Sequence, residues 1–320
     1  MAAPELTEKT GMHWAAMEER GVLWGMRFLV GVYLFFGRWP FRVFLYPVVG
    51  YYFIVNSRAR AASLDYLKHL AEFAPELGLT NCFRHSYRHF LYFAENLLDK
   101  IIVWLGRFDR SHLRFDKTEL LALFERGEGA LVVASHLGNL EICRALADFQ
   151  QRVRLNILVH TKHTEKFNRL LSSVDKASHV TLIQVTEINP AIAIQLFEKV
   201  QAGEFVVLVG DRIPVGSPQR TVTLPFMGKP ARFPQGPYLL AHLLKCPVYT
   251  LFCFRKEDGC YHIHFEKLLD QVRLPSNRSL RRQAVEQYAR PYVKRLEAYC
   301  LQAPLQWFNF YCFWEEDGSE

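Results

Sequence analysis

A chain of 320 residues, half hydrophobic, 22% charged and 14% aromatic, holds ample apolar material for one large domain or two small ones. That composition excludes disorder, a collagen-like repeat and a small disulfide scaffold. The net charge of +7 favours an anionic partner: nucleic acid, an anionic membrane or an acidic protein.

The N-terminus carries Glu5, Glu8, Glu18 and Glu19 and lacks a basic n-region, so no secretory signal is expected. From Gly21 to Leu64 the only charges are Arg27, Arg38, Arg42, Arg58 and Arg60. Residues 24–53 hold twelve aromatics, from Trp24 to Phe53, where 14% would give about four. Residues 22–55 read as two apolar helical segments around a break at Arg38-Trp39-Pro40. The longest uncharged run, 43–57, makes a helix of about 22 Å, short of a hydrocarbon core of roughly 30 Å. Aromatic rings and arginines without acids suit the interface of an anionic bilayer. The expectation is an amphipathic, membrane-associated helical hairpin; the alternative is a hairpin buried in a large soluble protein. The arginines lie among apolar rings and not on a polar basic face, which argues against nucleic acid.

Helices are expected over 60–75 and 82–105. The second contains His85 and His89, an i,i+4 pair. Ser86, Tyr87 and Arg88 lie between them, so the glutamate of HExxH is missing and a cation opposes a metal; no metal is expected. From about residue 128, β-branched runs alternate with helical stretches. Strands are expected over 130–135, 155–159, 180–185, 205–209, 247–254 and 260–265, with a hairpin turn at Asp258-Gly259. Helices are expected over 139–149, 164–174, 190–201, 235–245 and 279–300. The fold class is therefore α/β, a mostly parallel central sheet flanked by helices. The chain divides into a membrane-associated segment (1–60), an α/β domain (61–315) and an acidic tail (316–320). Its seven cysteines are scattered, without a CxxC pair, as in a reducing compartment.

The sharpest chemical feature is Ser135-His136-Leu137-Gly138-Asn139-Leu140-Glu141, which follows a buried strand and opens a helix. Sites in open α/β sheets sit at such carboxyl ends. Asn139 is a candidate N-cap, which places Glu141 in the first turn, where it can lean back toward His136. A carboxylate on one imidazole nitrogen leaves the other free as a base. Gly138 keeps the space open, and N–H groups at the helix start can hold an oxyanion. Ser135 adjoins His136 but points to the opposite face, so a serine hydrolase is disfavoured. A surface turn with a chance His and Glu is the plain alternative.

His-x4-Glu at a strand-to-helix turn resembles the His-x4-Asp/Glu motif of the lysophospholipid acyltransferase superfamily. Further blocks are similar to one branch, the bacterial lipid A biosynthesis late acyltransferases (lauroyl/myristoyl type). They are Val209-Gly210-Asp211-Arg212, then Pro225-Phe226-Met227-Gly228-Lys229-Pro230-Ala231, then Gln235-Gly236, and finally Gln306-Trp307-Phe308-Asn309-Phe310. The branch usually has an arginine after the second strand; here the stretch offers Lys162 or His163. On that account the chain looks closer to relatives found with aryl polyene or xanthomonadin-type pathways. The resemblance implies a membrane-bound enzyme that moves a fatty acyl chain from an acyl carrier protein or coenzyme A thioester to a lipid-like acceptor. His136 would be the general base and Glu141 its orienting partner, with no metal, no cofactor and no acyl-enzyme. Asp211 and Arg212 follow a strand and reach the same rim; Arg212 can hold a phosphate or oxyanion with Asp211 positioning it, or the two form a structural ion pair. Gly228 and Lys229 look like a turn whose lysine can touch phosphopantetheine, or a solvated lysine. The implied location is the cytoplasmic face of a bacterial inner membrane. Two other readings use the same residues: a non-catalytic adaptor binding carrier protein or lipid, and a thioesterase using the base on water.

Overall fold

The computed structural model describes residues 38–143 apart from Leu105, then 154–159, 180–184, 190–213 and 219–314, together with Gly31 and Phe35. Seven helices are labelled here: α1 (Arg38–Val55), α2 (Ser57–Phe73), α3 (Phe83–Trp104), α4 (Thr118–Arg126), α5 (Pro190–Gln201), α6 (Gly236–Leu244) and α7 (Arg278–Gln302). The strands are β1 (Leu113–Phe115), β2 (Ala130–Gly138), β3 (Leu155–Val159), β4 (Val180–Gln184), β5 (Phe205–Val209), β6 (Thr221–Phe226), β7 (Lys229–Pro234), β8 (Val248–Arg255) and β9 (Tyr261–Leu269). Seven of them form one sheet in the order β1-β9-β8-β2-β5-β3-β4. Every neighbouring pair is parallel except β8 with β9, the hairpin turned at Asp258-Gly259. This is the expected α/β class.

Central strands of a parallel sheet are covered on both faces, which explains why β2 reads as a continuous apolar run and not as an alternating one. Leu131 and Val133 face one core, with Val206, Phe252, Tyr292 and Trp307. Ala130, Val132 and Ala134 face the other, with Leu123, Phe205 and Tyr249.

The N-terminal helices pack on α3. In α1, Phe41, Leu45 and Val49 recur every four residues and are buried against Phe90, Leu98 and Ile102. The opposite side of α1 exposes Val43, Tyr46, Tyr51, Ile54 and Val55. The described run of helix α1 begins at Arg38 and continues through Pro47. The earlier of the two expected segments falls almost wholly outside the described residues. Asn56 then caps α2, its Oδ1 accepting the Ala59 N–H at 3.1 Å. Arg60 donates to the Phe53 and Ile54 carbonyls that end α1. A cation on unpaired terminal carbonyls is stabilising in itself.

Three elements were not expected: β1, α4 and the β6–β7 hairpin. The hairpin turns on Met227 (φ 52°) and Gly228 (φ 74°). Two consecutive positive φ values make a primed turn, which suits the right-handed twist of a two-stranded ribbon. Pro225 and Pro230, which weaken a strand reading, sit opposite each other on this isolated pair. No helix among the described residues is long and apolar enough to cross a membrane.

Candidate active site

Strands β2 and β5 are neighbours in parallel register, with Ala134 opposite Val209. His136 lies two residues beyond Ala134, and Asp211 two beyond Val209. Equal offsets on paired parallel strands bring two side chains to the same height at the carboxyl end of the sheet. The structure joins them: His136 Nδ1 is 2.7 Å from Asp211 Oδ1, and the His136 backbone N–H donates to Asp211 Oδ2 at 2.8 Å.

Asp211 is fully buried, and its oxygens are surrounded by donors. The Trp307 indole N–H donates to Oδ2 at 2.9 Å, and Asn309 Nδ2 approaches the same oxygen at 3.4 Å. Asn309 and Tyr311 both donate to the Asp211 carbonyl at 3.2 Å. Burial opposes ionisation, but the His136 ring, its N–H and the Trp307 N–H outweigh it and hold the carboxyl below its usual range. An ionised carboxylate accepts, so His136 carries its hydrogen on Nδ1 and keeps a lone pair on Nε2. The His136 side chain is 27% exposed while Asp211 is at 0%, so the open edge of the ring is the Nε2 edge. Burial is the largest influence on His136 and lowers its pKa; Asp211 pulls it up, and Arg212 and Lys100 push it further down. The ring is therefore neutral at neutral pH, as a base must be.

A segment following α7 runs beside β2 as a strap. Leu137 bridges Trp307 antiparallel. Gly138 N–H donates to Gln306 O at 2.8 Å, and Phe308 N–H to His136 O at 3.0 Å. The strap thus straddles His136 and delivers Trp307 to Asp211. Gln306 also clasps β8, accepting the Arg255 N–H at 3.0 Å and donating to the Arg255 carbonyl at 2.6 Å.

The expected roles distribute unevenly over this geometry. Asn139 caps the following turn as anticipated, its Oδ1 accepting the Glu141 N–H at 3.2 Å. The carboxylate on His136 Nδ1 belongs to Asp211, a residue given only the task of positioning Arg212. Arg212 is half-buried and donates to Asn309 Oδ1 at 3.0 Å and to Phe308 O at 3.3 Å, so it ties the strap to β5. Gly138 has a backbone reason for being glycine: its φ is +70°, and a Cβ there would lie 2.0 Å from the Cys253 carbonyl oxygen. The helix-start N–H groups thought open for an oxyanion are occupied at two positions. Gly138 donates to Gln306, and Asn139 to Cys253 O at 2.6 Å.

Gly228 and Lys229 sit at the β6–β7 turn, where the Met227 N–H is bound by Glu297 and Phe73 packs against Gly228. No hydrogen bond among the described residues links them to His136 or Asp211. Lys162 and His163 lie outside the described residues. His85 accepts from the Thr80 N–H at 2.9 Å near the surface, while His89 is wholly buried, so the pair shares no common ligand position.

Sequence reasoning missed Trp307, Asn309 and Lys100 as members of the site. Trp307 and Asn309 were visible as part of the closing block, but nothing in their spacing told which residue they serve. Lys100 stands on α3 one turn beyond Asn96, whose carbonyl accepts Asn139 Nδ2 at 3.2 Å.

The family model for bacterial lipid A biosynthesis acyltransferases matches residues 92–315. The chain belongs to that family. The match spans the His136 turn, Asp211, the β6–β7 hairpin and the strap, and it assigns acyl transfer as the activity. A search of the curated proteins returns no match. His136 on Asp211 is a partly buried histidine–carboxylate pair at the carboxyl ends of two central strands.

Proposed function

We propose that the protein transfers a fatty acyl group from a carrier-protein or coenzyme A thioester to a hydroxyl or amine of a lipid-like acceptor, with His136 as general base and Asp211 as its orienting carboxylate. The observation that carries this reading is the 2.7 Å contact between His136 Nδ1 and buried Asp211, with the Nε2 edge left open. Nε2 takes the proton of the acceptor nucleophile, and the freed oxygen or nitrogen attacks the thioester carbonyl. The tetrahedral adduct collapses, the C–S bond breaks, and the departing thiolate takes back the proton from His136. The products are an ester or amide and a free thiol, so atoms balance without an acyl-enzyme. Positive charge on Arg212 and Lys100, which already bears on the His136 ring, favours the developing oxyanion. Glu141, two residues past the Asn139 cap, is kept as a second acidic residue of the site.

The acceptor reaches the site from a bilayer surface in this proposal. The exposed side of α1 offers Val43, Tyr46, Tyr51, Ile54 and Val55, and Phe83 extends the same apolar surface from the start of α3. Exposed apolar and tyrosine side chains on one helix face suit the headgroup boundary of an anionic membrane. Flotation with anionic vesicles tests it: Ile54→Glu combined with Val55→Glu should leave the protein in the unbound fraction. Unchanged flotation would remove α1 as the docking face.

The transfer itself is tested with acylated carrier protein and membranes, following the carrier and the lipids by intact mass. Wild type should strip the carrier and add one acyl group to a lipid, and His136→Ala should do neither. Free fatty acid with or without membranes would mean a thioesterase. A carrier that stays acylated yet co-purifies would mean an adaptor.

A further inference from the structure

Helix α3 supports the site from behind through one buried histidine. His89 is at 0% exposure. Its Nε2 lies 2.9 Å from the Trp307 carbonyl oxygen, and its Nδ1 lies 3.0 Å from Ser63 Oγ on α2. A carbonyl oxygen can only accept, so Nε2 holds the ring hydrogen and Nδ1 accepts from the Ser63 hydroxyl. Ser63 Oγ in turn accepts from Ser86 Oγ at 2.9 Å. The donors therefore run in one direction: Ser86 to Ser63 to His89 to Trp307. Burial drives the His89 pKa down to about 4 against the smaller raising effect of the Trp307 carbonyl, so the ring stays neutral. Tyr66 is the titratable group beside it, 5.6 Å away between ring centroids, with Phe308 and Phe310 against its other side.

This chain meets the active site at one residue. Trp307 offers its carbonyl to His89 and its indole N–H to Asp211 Oδ2. Two neighbouring bonds brace the same stretch of strap: Tyr66 OH donates to Pro304 O at 2.8 Å, and Phe308 N–H donates to His136 O. A buried leucine or phenylalanine could fill the volume of an imidazole, but neither can hold a carbonyl and order two hydroxyls.

We propose that His89 is a positioning residue for acyl transfer: it fixes the Trp307 peptide, whose indole N–H fixes the carboxylate that orients His136. The inference rests on the reading of His136 as the base. Loss of the bond lets Trp307 drift, and Asp211 then turns more of its charge onto the imidazole. Asp211, Arg212 and Lys100 are the groups acting on His136, and all three stay in place in every variant below.

The test uses full-length His89→Leu, His89→Gln and Ser63→Ala. Two quantities are measured: kcat and KM for the acylated carrier, and the titration midpoint of the His136 ring by nitrogen NMR. His89→Leu should lower kcat about tenfold, the low end of losses seen when a supporting hydrogen bond is removed, with KM unchanged. The His136 midpoint should move up. His89→Gln, which returns an N–H toward Trp307, should recover most of the loss. A folded His89→Leu with wild-type kcat and an unmoved midpoint would overturn the assignment. If His89→Leu does not fold, Ser63→Ala decides: it keeps the ring and its Nε2–H but removes the hydroxyl that holds Nδ1, so the imidazole can turn off the Trp307 carbonyl; the midpoint should shift in the same sense, and an unmoved midpoint overturns the proposal. A wild type without transferase activity would refute the acyl-transfer reading alone, since the midpoint still reports on His89.

Discussion

In the proposed mechanism His136 and Asp211 act as a pair because the carboxylate has no freedom to turn. Asp211 Oδ2 receives the His136 N–H and the Trp307 indole N–H, which leaves Oδ1 for the ring. An Asp211→Asn side chain must keep its oxygen at the Oδ2 position to satisfy those donors, and its NH2 group then points at Nδ1. The imidazole would be forced to place its hydrogen on Nε2, where a base needs its lone pair. Asp211→Asn should therefore lower kcat by about 10⁴-fold with little change in fold, the scale of loss known for the same tautomer error in a serine protease. Wild-type kcat/KM should fall on the acid side with a midpoint below 6.5, because burial lowers the His136 pKa in the free enzyme. A limb midpoint at or above 6.5 would contradict the buried setting. The sequence made His136 legible, through a motif at the end of an apolar strand. It pointed to Glu141 as the partner because five residues of local chain can be reasoned about. Asp211 is 75 residues away, and only the pairing of β2 with β5 makes it a neighbour.

Strand β2 and the strap form the element on which the site hangs, and Gly138 is where they close. Its N–H meets Gln306, its φ is +70°, and its α-carbon faces the β8 backbone too closely for any side chain. Gly138→Ala combines a left-handed backbone with a contact to a carbonyl that cannot move without breaking the sheet. It should cost at least about 2 kcal/mol, read as a lower urea midpoint with unchanged slope. A loss below about 0.5 kcal/mol, the range of ordinary surface changes, would show that the turn can relax. The sequence suggested that this glycine makes room for a ligand; the structure shows that it makes room for a strand. Elements with a strong local signal were readable, α3 by its helical periodicity and β5 by its β-branched apolar run. The β6–β7 ribbon was not, because prolines at both of its edges erase the strand signal that a paired but isolated ribbon tolerates.

At the scale of the whole molecule, the buried histidines couple fold stability to acidity. The folded His89 pKa is about 4, against about 6.5 when unfolded. Below pH 6.5 the unfolded chain therefore binds the proton that the folded chain refuses, so stability falls as pH falls through that window. By pH 4 this one residue should remove about 3 kcal/mol. His136 and His264, both lowered by burial, act in the same sense, and so does Asp211 at still lower pH. Urea midpoints measured from pH 7 to pH 4.5 should decline steadily, and His89→Gln should flatten the slope. An equal slope in both would remove His89 from this balance.

The strap also sets a clock. Asp211 leaves the ribosome before Trp307, and 96 residues of translation separate the two. At about 5–20 residues per second that interval is roughly 5–20 s. During it β2, β3, β4 and β5 have been made and β8 follows, yet the carboxylate lacks its indole donor. A nascent chain halted in that interval carries the motif without the buried setting of its carboxylate, so the His136–Asp211 pair is completed long after helix α1 has been made.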